Sequence, residues 1–85
     1  MDNEIQVRVK LFAIYQEVFD TPELKLDFPS ETTVGQVLDS LIDRQPQIAQ
    51  WRNVTRFGVN LQFVESDTKL HDGDEVVLIP PVSGG

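Results

Sequence analysis

The sequence contains no cysteine. That excludes a disulfide staple, a thiolate metal site and a side-chain thiol acting as nucleophile or sulfur carrier. It has a single histidine, His71, in the acidic stretch His71-Asp72-Gly73-Asp74, which reads as a solvated turn. Bases are few. Seven Lys and Arg face fourteen Asp and Glu, for a formal net charge of −7. No basic patch is available to displace counterions from phosphates, so no nucleic acid is expected as a partner. A protein partner with a basic surface fits better. No apolar run is long enough to cross a bilayer, and the acidic start Met1-Asp2-Asn3-Glu4 does not read as a signal peptide. No membrane partner is expected, and the expected location is cytoplasmic. A Gly-rich phosphate loop, a nucleophile elbow and an H-E-x-x-H zinc motif are all missing. Asp72, Asp74 and Glu75 lack the alternating oxygen ligands of a calcium loop, so no metal is expected. Nothing forms a self-contained active site, and the chain is not expected to be an enzyme by itself.

What is present is enough for one small domain. The chain has 85 residues, 40% of them hydrophobic, which suits one modest core. Ile5, Val7, Val9, Leu11 and Ala13 alternate with Gln6, Arg8, Lys10 and Phe12, a period of two that predicts a strand. Phe12 falls on the face away from the core. Tyr15, Val18 and Phe19 have the spacing of a short helix, broken at Asp20-Thr21-Pro22. Leu24, Leu26 and Phe28 predict a second strand, placed to pair with the first. Thr33 is a good N-cap, with Gln36 in the capping-box position. Val34, Val37, Leu38, Leu41 and Ile42 then form one apolar helical stripe, ended by Pro46. Gly35 weakens the first helical turn and leaves room for close packing on a sheet. Ile48, Trp51 and Val54 predict one more helical turn over a core edge. Phe57, Val59 and Leu61 predict a strand over 56–61, with Asn60 starting a turn, and Thr68-Lys69-Leu70 a short bridge. Gly73 supplies a positive φ to the turn before the last strand.

The last stretch organises the rest. Val76 to Ile79 is a β-branched apolar run that predicts a central strand beside the first. Pro80 and Pro81 stop it, because neither can donate a ladder hydrogen bond. Val82, Ser83, Gly84 and Gly85 follow, with almost no side-chain bulk. The six residues from Pro80 to Gly85 reach roughly 20 Å when extended, and glycine would let them thread a narrow channel. The expected division is therefore a domain over residues 1–79 and a slender tail over 80–85. The fold predicted is α+β: a mixed sheet packed against one main helix. Val7, Val9, Leu11, Leu26, Val37, Leu38, Leu41, Val77 and Ile79 are the candidate core or interface positions. The one group with unusual presentation is the Gly85 carboxylate. It is inert until activated, for instance as an acyl-adenylate, after which a sulfur or amine nucleophile can take the acyl carbon.

With those residues in view, the chain resembles the MoaD family, the sulfur-carrier small subunits of molybdopterin synthase. The resemblance rests on Asp72-Gly73-Asp74-Glu75-Val76 and on Ile79-Pro80-Pro81-Val82-Ser83-Gly84-Gly85. Asp67-Thr68 with Leu70, the Val59-Asn60 pair, Thr33-Val34 and Val9-Lys10-Leu11-Phe12-Ala13 extend it over nearly the whole chain. It implies a β-grasp, ubiquitin-like fold. It implies that Gly85 is adenylated by an E1-like enzyme, which uses ATP and magnesium, while the carrier itself holds no cofactor. A sulfur donor protein then leaves a thiocarboxylate. The resemblance further implies that the tail enters the large subunit of molybdopterin synthase and gives sulfur to cyclic pyranopterin monophosphate. Phe12, Phe63 and Ile79 match apolar contacts with that subunit. Ile79 stands where the family often has an aromatic residue. Two alternatives use the same tail: a sulfur carrier for thiazole synthesis in the manner of ThiS, and a ubiquitin-like protein modifier. A passive binding module leaves the Gly-Gly end unexplained.

Overall fold

The computed structural model describes residues 3–81. The expected tail residues Val82, Ser83, Gly84 and Gly85 lie outside the described residues, as do Met1 and Asp2. In chain order the elements are β1 (Glu4–Leu11), α1 (Ile14–Phe19), β2 (Glu23–Pro29), α2 (Val34–Arg44), a 3-10 segment (Pro46–Val54), β3 (Arg56–Val59), β4 (Gln62–Val64) and β5 (Glu75–Ile79). The five strands form one sheet in the order β2-β1-β5-β3-β4. β5 runs parallel to β1 and antiparallel to β3, while β1–β2 and β3–β4 are antiparallel. The most apolar strand thus takes the central place that its composition predicted, between two hairpins.

The period-two pattern of β1 decides which face is core. Ile5, Val7, Val9 and Leu11 are buried while their neighbours are not. Register carries that face across the sheet. Val9 lies beside Val76 and Leu11 beside Leu78, and Phe57 lies beside Leu78. Val76 and Leu78 are fully buried, whereas Val77 and Ile79 are half-buried. The core positions of the last strand are therefore 76 and 78, and the expected Val77 and Ile79 belong to the opposite face. Leu26, at the outer strand, is half-buried as well.

One helix covers the core face. Thr33 and Gln36 make the full capping box: Thr33 Oγ1 accepts from the Gln36 N–H at 3.2 Å, and Gln36 Oε1 accepts from the Thr33 N–H at 2.9 Å. These bonds satisfy donors that the first helical turn leaves orphaned. Val34, Val37, Leu38 and Leu41 are then fully buried, with Ile42 packed at the edge. Gly35 packs closely, but against a loop and not the sheet. Its N–H donates to Ser66 O at 2.9 Å, and a Cβ there would stand 2.9 Å from that oxygen.

The segment after α2 differs from expectation. Pro46–Val54 winds as a 3-10 helix, with Ile48 buried, Trp51 half-buried and Val54 54% exposed. A three-residue turn stacks i and i+3 on one side, which keeps Ile48 and Trp51 together, but Val54, the last residue of the segment, falls outside the core. Tyr15, from the short helix α1, fills the space beneath. Its ring meets Trp51 edge-on, with centroids 6.4 Å apart. Its hydroxyl bonds Thr55 Oγ1, and Thr55 in turn donates to Trp51 O at 2.8 Å. β3 also stops early, at Val59. Asn60 and Leu61 both take positive φ, 50° and 73°, and form the two-residue turn into β4. Leu61, expected on the strand's inner face, is instead 91% exposed at the turn. Thr68–Leu70 makes the expected bridge, with Thr33 opposite Lys69.

Candidate functional site

The face of the sheet away from α2 carries the candidate site. Register arranges it in rows running across the strands. At one end Lys25, Arg8 and Glu75 lie side by side. The next row is Glu23, Lys10, Val77, Gly58 and Phe63. The last row sets Arg56 beside Ile79, and Phe12 leaves β1 at the same end, one residue past Leu11, which pairs with Leu78. The face therefore changes from charged to apolar toward the end of β5 that leads into Pro80. Pro80 is buried and Pro81 exposed.

Two of the expected contact residues are openly presented. Phe12 is 46% exposed and Phe63 74% exposed, unusually high for phenylalanine. Ile79, half-buried, is the third. β1 ends at Leu11, which is buried, so the next residue, Phe12, faces outward, and Ala13, with φ 51°, turns the chain into α1. Phe63 lies on β4, the edge strand of the sheet among the described residues. Gly58, its cross-strand partner, puts no side chain between Phe63 and Val77. A Cβ at Gly58 would find ordinary contact, 3.5 Å from Val77 Cβ, so packing within the domain does not demand glycine there.

Charge on this face is nearly balanced. Glu4, Glu23, Asp27 and Glu75 share it with Arg8, Lys10, Lys25 and Arg56, and Lys10 Nζ meets Glu75 Oε2 at 3.2 Å. The net charge of −7 therefore lies on the rest of the chain. Gly58 and Arg56 were missed as site residues, because their place emerges only from the β3–β5 register.

The acidic turn is occupied with backbone work. Asp72 Oδ1 accepts from the Gln6 N–H at 2.8 Å, and Asp74 Oδ2 accepts from the His71 N–H at 2.8 Å. Gly73 holds φ 87° as expected. Among the described residues no group of three His, Asp or Glu side chains could hold a metal ion, and no helix is long and apolar enough to cross a membrane.

Comparison with known proteins agrees with this architecture. The ThiS family matches residues 9–85. The molybdopterin synthase sulfur carrier subunit of Drosophila erecta is 37% identical over 84 residues, spanning 95% of this chain and 92% of its own. The crystal structure of SAMP1 from Haloferax volcanii superposes with a TM-score of 0.79 at 28% identity, covering 94% of this chain and 99% of that one. A ubiquitin from Caldiarchaeum subterraneum superposes with a TM-score of 0.64 at 18% identity, covering 96% and 99%, which identifies the fold as ubiquitin-like, the β-grasp. The chain belongs to the ThiS family and is related within it to the sulfur carrier subunits of molybdopterin synthase.

Proposed function

We propose that this protein is the sulfur carrier small subunit of molybdopterin synthase, with Gly85 as the carrier. Its carboxylate attacks the α-phosphorus of ATP on an E1-like enzyme, releasing pyrophosphate and leaving an acyl-adenylate. Sulfide-level sulfur supplied by a donor protein then attacks the acyl carbon; the C–O bond to AMP breaks, AMP leaves, and the carbonyl keeps the sulfur as a thiocarboxylate. The tail Pro80-Pro81-Val82-Ser83-Gly84 delivers that group to the large subunit, where sulfur passes to cyclic pyranopterin monophosphate. The domain contributes docking and not chemistry, so it is no enzyme alone. It works in the cytoplasm, and ATP and magnesium belong to the activating partner.

The observation that carries this reading is the grading of the open face. Apolar Phe12, Phe63, Val77 and Ile79 gather at the end of β5 from which the chain enters Pro80. A partner that covers this end also stands beside Pro80 and Pro81, the last described residues. The family match running through residue 85 supports the role of the Gly-Gly end.

The test is to incubate the protein with its host's adenylating enzyme, ATP and a sulfur donor, and to measure intact mass. Replacement of one oxygen by sulfur is expected on the full chain and not after deletion of Gly85. A deletion shifts the acyl carbon by about 3.3–3.6 Å along an extended tail, and 1 Å of misplacement already costs about a hundredfold in rate. A Gly85-deleted chain that acquires sulfur and supports molybdopterin synthesis would overturn the reading. The likeness to SAMP1, a small archaeal modifier, supports a second reading as a protein modifier. That reading requires isopeptide adducts on lysines in the same incubation.

A further inference from the structure

The apolar end of the open face contains one guanidinium, Arg56, with no carboxylate partner among the described residues. Arg56 opens β3 beside Ile79 and is exposed. Among the described residues it makes no ion pair and no side-chain hydrogen bond, whereas Lys10, Arg52 and Lys69 each have a carboxylate partner. Arg56 borders a cavity of about 410 Å³ at the end of the sheet, lined also by Arg52, Phe57, Phe63 and Glu65. Arg52 is committed elsewhere. Its Nε and Nη2 donate to the two oxygens of Asp39 at 2.6 and 3.2 Å. Glu65 lines the cavity without forming an ion pair with Arg56.

Covering this end takes Arg56 out of water. A desolvated charge without a counterpart opposes association strongly. The surface that covers Phe63 and Ile79 must therefore bring a carboxylate to Arg56 or leave this corner wet. We propose that Arg56 is the charged contact of the docking face. It receives, in the cavity beside Phe63, a carboxylate side chain of the protein partner, flanked by that partner's apolar residues. The planar fork of arginine suits this role, because it can hold both oxygens of one carboxylate while its stem lies along apolar side chains. Such a contact selects among partners: one that offers a lysine at this place is rejected. This inference rests on the docking reading of the open face.

The experiment titrates the large subunit of molybdopterin synthase from the same organism into five proteins: the parent, Phe63→Ala, Arg56→Gln, Arg56→Lys and Glu65→Gln. Thermal melts of each confirm that all five are folded. Arg56→Gln is expected to weaken binding roughly tenfold, the effect of one charged hydrogen-bonded contact. Arg56→Lys should recover part of that loss, and Glu65→Gln should leave affinity unchanged or raise it. If Phe63→Ala weakens binding and Arg56→Gln does not, the inference is overturned while the docking face stands. If Glu65→Gln weakens binding as much as Arg56→Gln, the carboxylate is the protein's own and the inference is again overturned. If Phe63→Ala has no effect, the docking face itself is wrong and this inference falls with it.

Discussion

Asn60 and Asp74 hold the start of β5 in place through their side chains. Asn60 Nδ2 donates to Asp74 Oδ1 at 2.9 Å, and Asn60 Oδ1 accepts from the Glu75 N–H at 3.0 Å. The Asn60 N–H completes the set by donating to Glu75 O at 2.9 Å. Two sequence features that look unrelated, a Val-Asn pair and an Asp-Gly-Asp turn, are thus one structural device. It locks the β3–β4 turn to the entry of the central strand.

Asn60 should accordingly be hard to replace. Alanine loses both side-chain bonds and must also adopt φ 50°, for a combined cost of about 1–2 kcal/mol. Glycine removes the conformational penalty and should cost less. Aspartate sets a carboxylate against Asp74 and should be worse than glycine. Urea unfolding of the three variants gives the order directly, and an alanine variant as stable as the parent would refute the account.

Gly35 offers a sharper contrast between local and tertiary effects. In an isolated helix, alanine is better than glycine by up to about 1 kcal/mol. Here an added Cβ lies 2.9 Å from the Ser66 carbonyl oxygen. Backbone on both sides has to move, so Gly35→Ala should destabilise by about 1–3 kcal/mol. A gain in melting temperature would mean that the 65–70 loop yields freely.

Leu38 and Leu61 should respond in opposite directions. Leu38 is fully buried, and truncation to alanine should cost about 2–5 kcal/mol. Leu61 is exposed and sits at φ 73°, a region that leucine enters at a cost of roughly 1–2 kcal/mol. Leu61→Gly turns the hairpin connection into Asn-Gly, the favoured two-residue turn, and should stabilise. Equilibrium denaturation of both variants is the check, and a stabilised Leu38→Ala or a strongly destabilised Leu61→Gly would contradict the fold.

These two leucines also mark what a sequence can and cannot disclose. The capping box at Thr33 and Gln36, the stripe on α2 and the alternation of β1 are local patterns, and each was legible. The central place of β5 followed from its composition. The phase of β5 did not: four consecutive apolar residues carry no period, and only pairing with β1 and β3 decides that Val76 and Leu78 face the core. Leu61 misled because alternation continued past the residue where the backbone turns. Tyr15 and Ile48, both fully buried, lie in short helical pieces whose packing depends on each other. At the site, Phe12, Phe63 and Ile79 were named through family resemblance, whereas Arg56 needed the register.

Tyr15 is the chain's one tyrosine, so its titration can be followed by absorbance without interference from another phenol. Burial pushes its hydroxyl above the usual value near 10. Thr55 spends its own proton on Trp51 O, so the phenol is the donor in the Tyr15–Thr55 bond. A raised folded pKa means that this contribution to stability is fully present below the unfolded value and is lost as pH rises through the folded one. The folded protein should therefore ionise Tyr15 only above pH 10, and urea should return the midpoint to the ordinary value. A midpoint that is the same in both states would show that the ring is not enclosed.

Since β5 stands between two hairpins that do not touch each other in the sheet, it is the keystone of the domain. Arg8 pairs with Glu75 across nearly the full described length, so this closure brings together distant parts of the chain and should be a slow step in folding. The same five residues supply Val77 and Ile79 to the open face. A molecule that has not seated β5 thus lacks both its core and the apolar end of its open face. On the proposed docking reading, binding at this face carries a form of quality control: an incompletely folded chain presents nothing for a partner to grip.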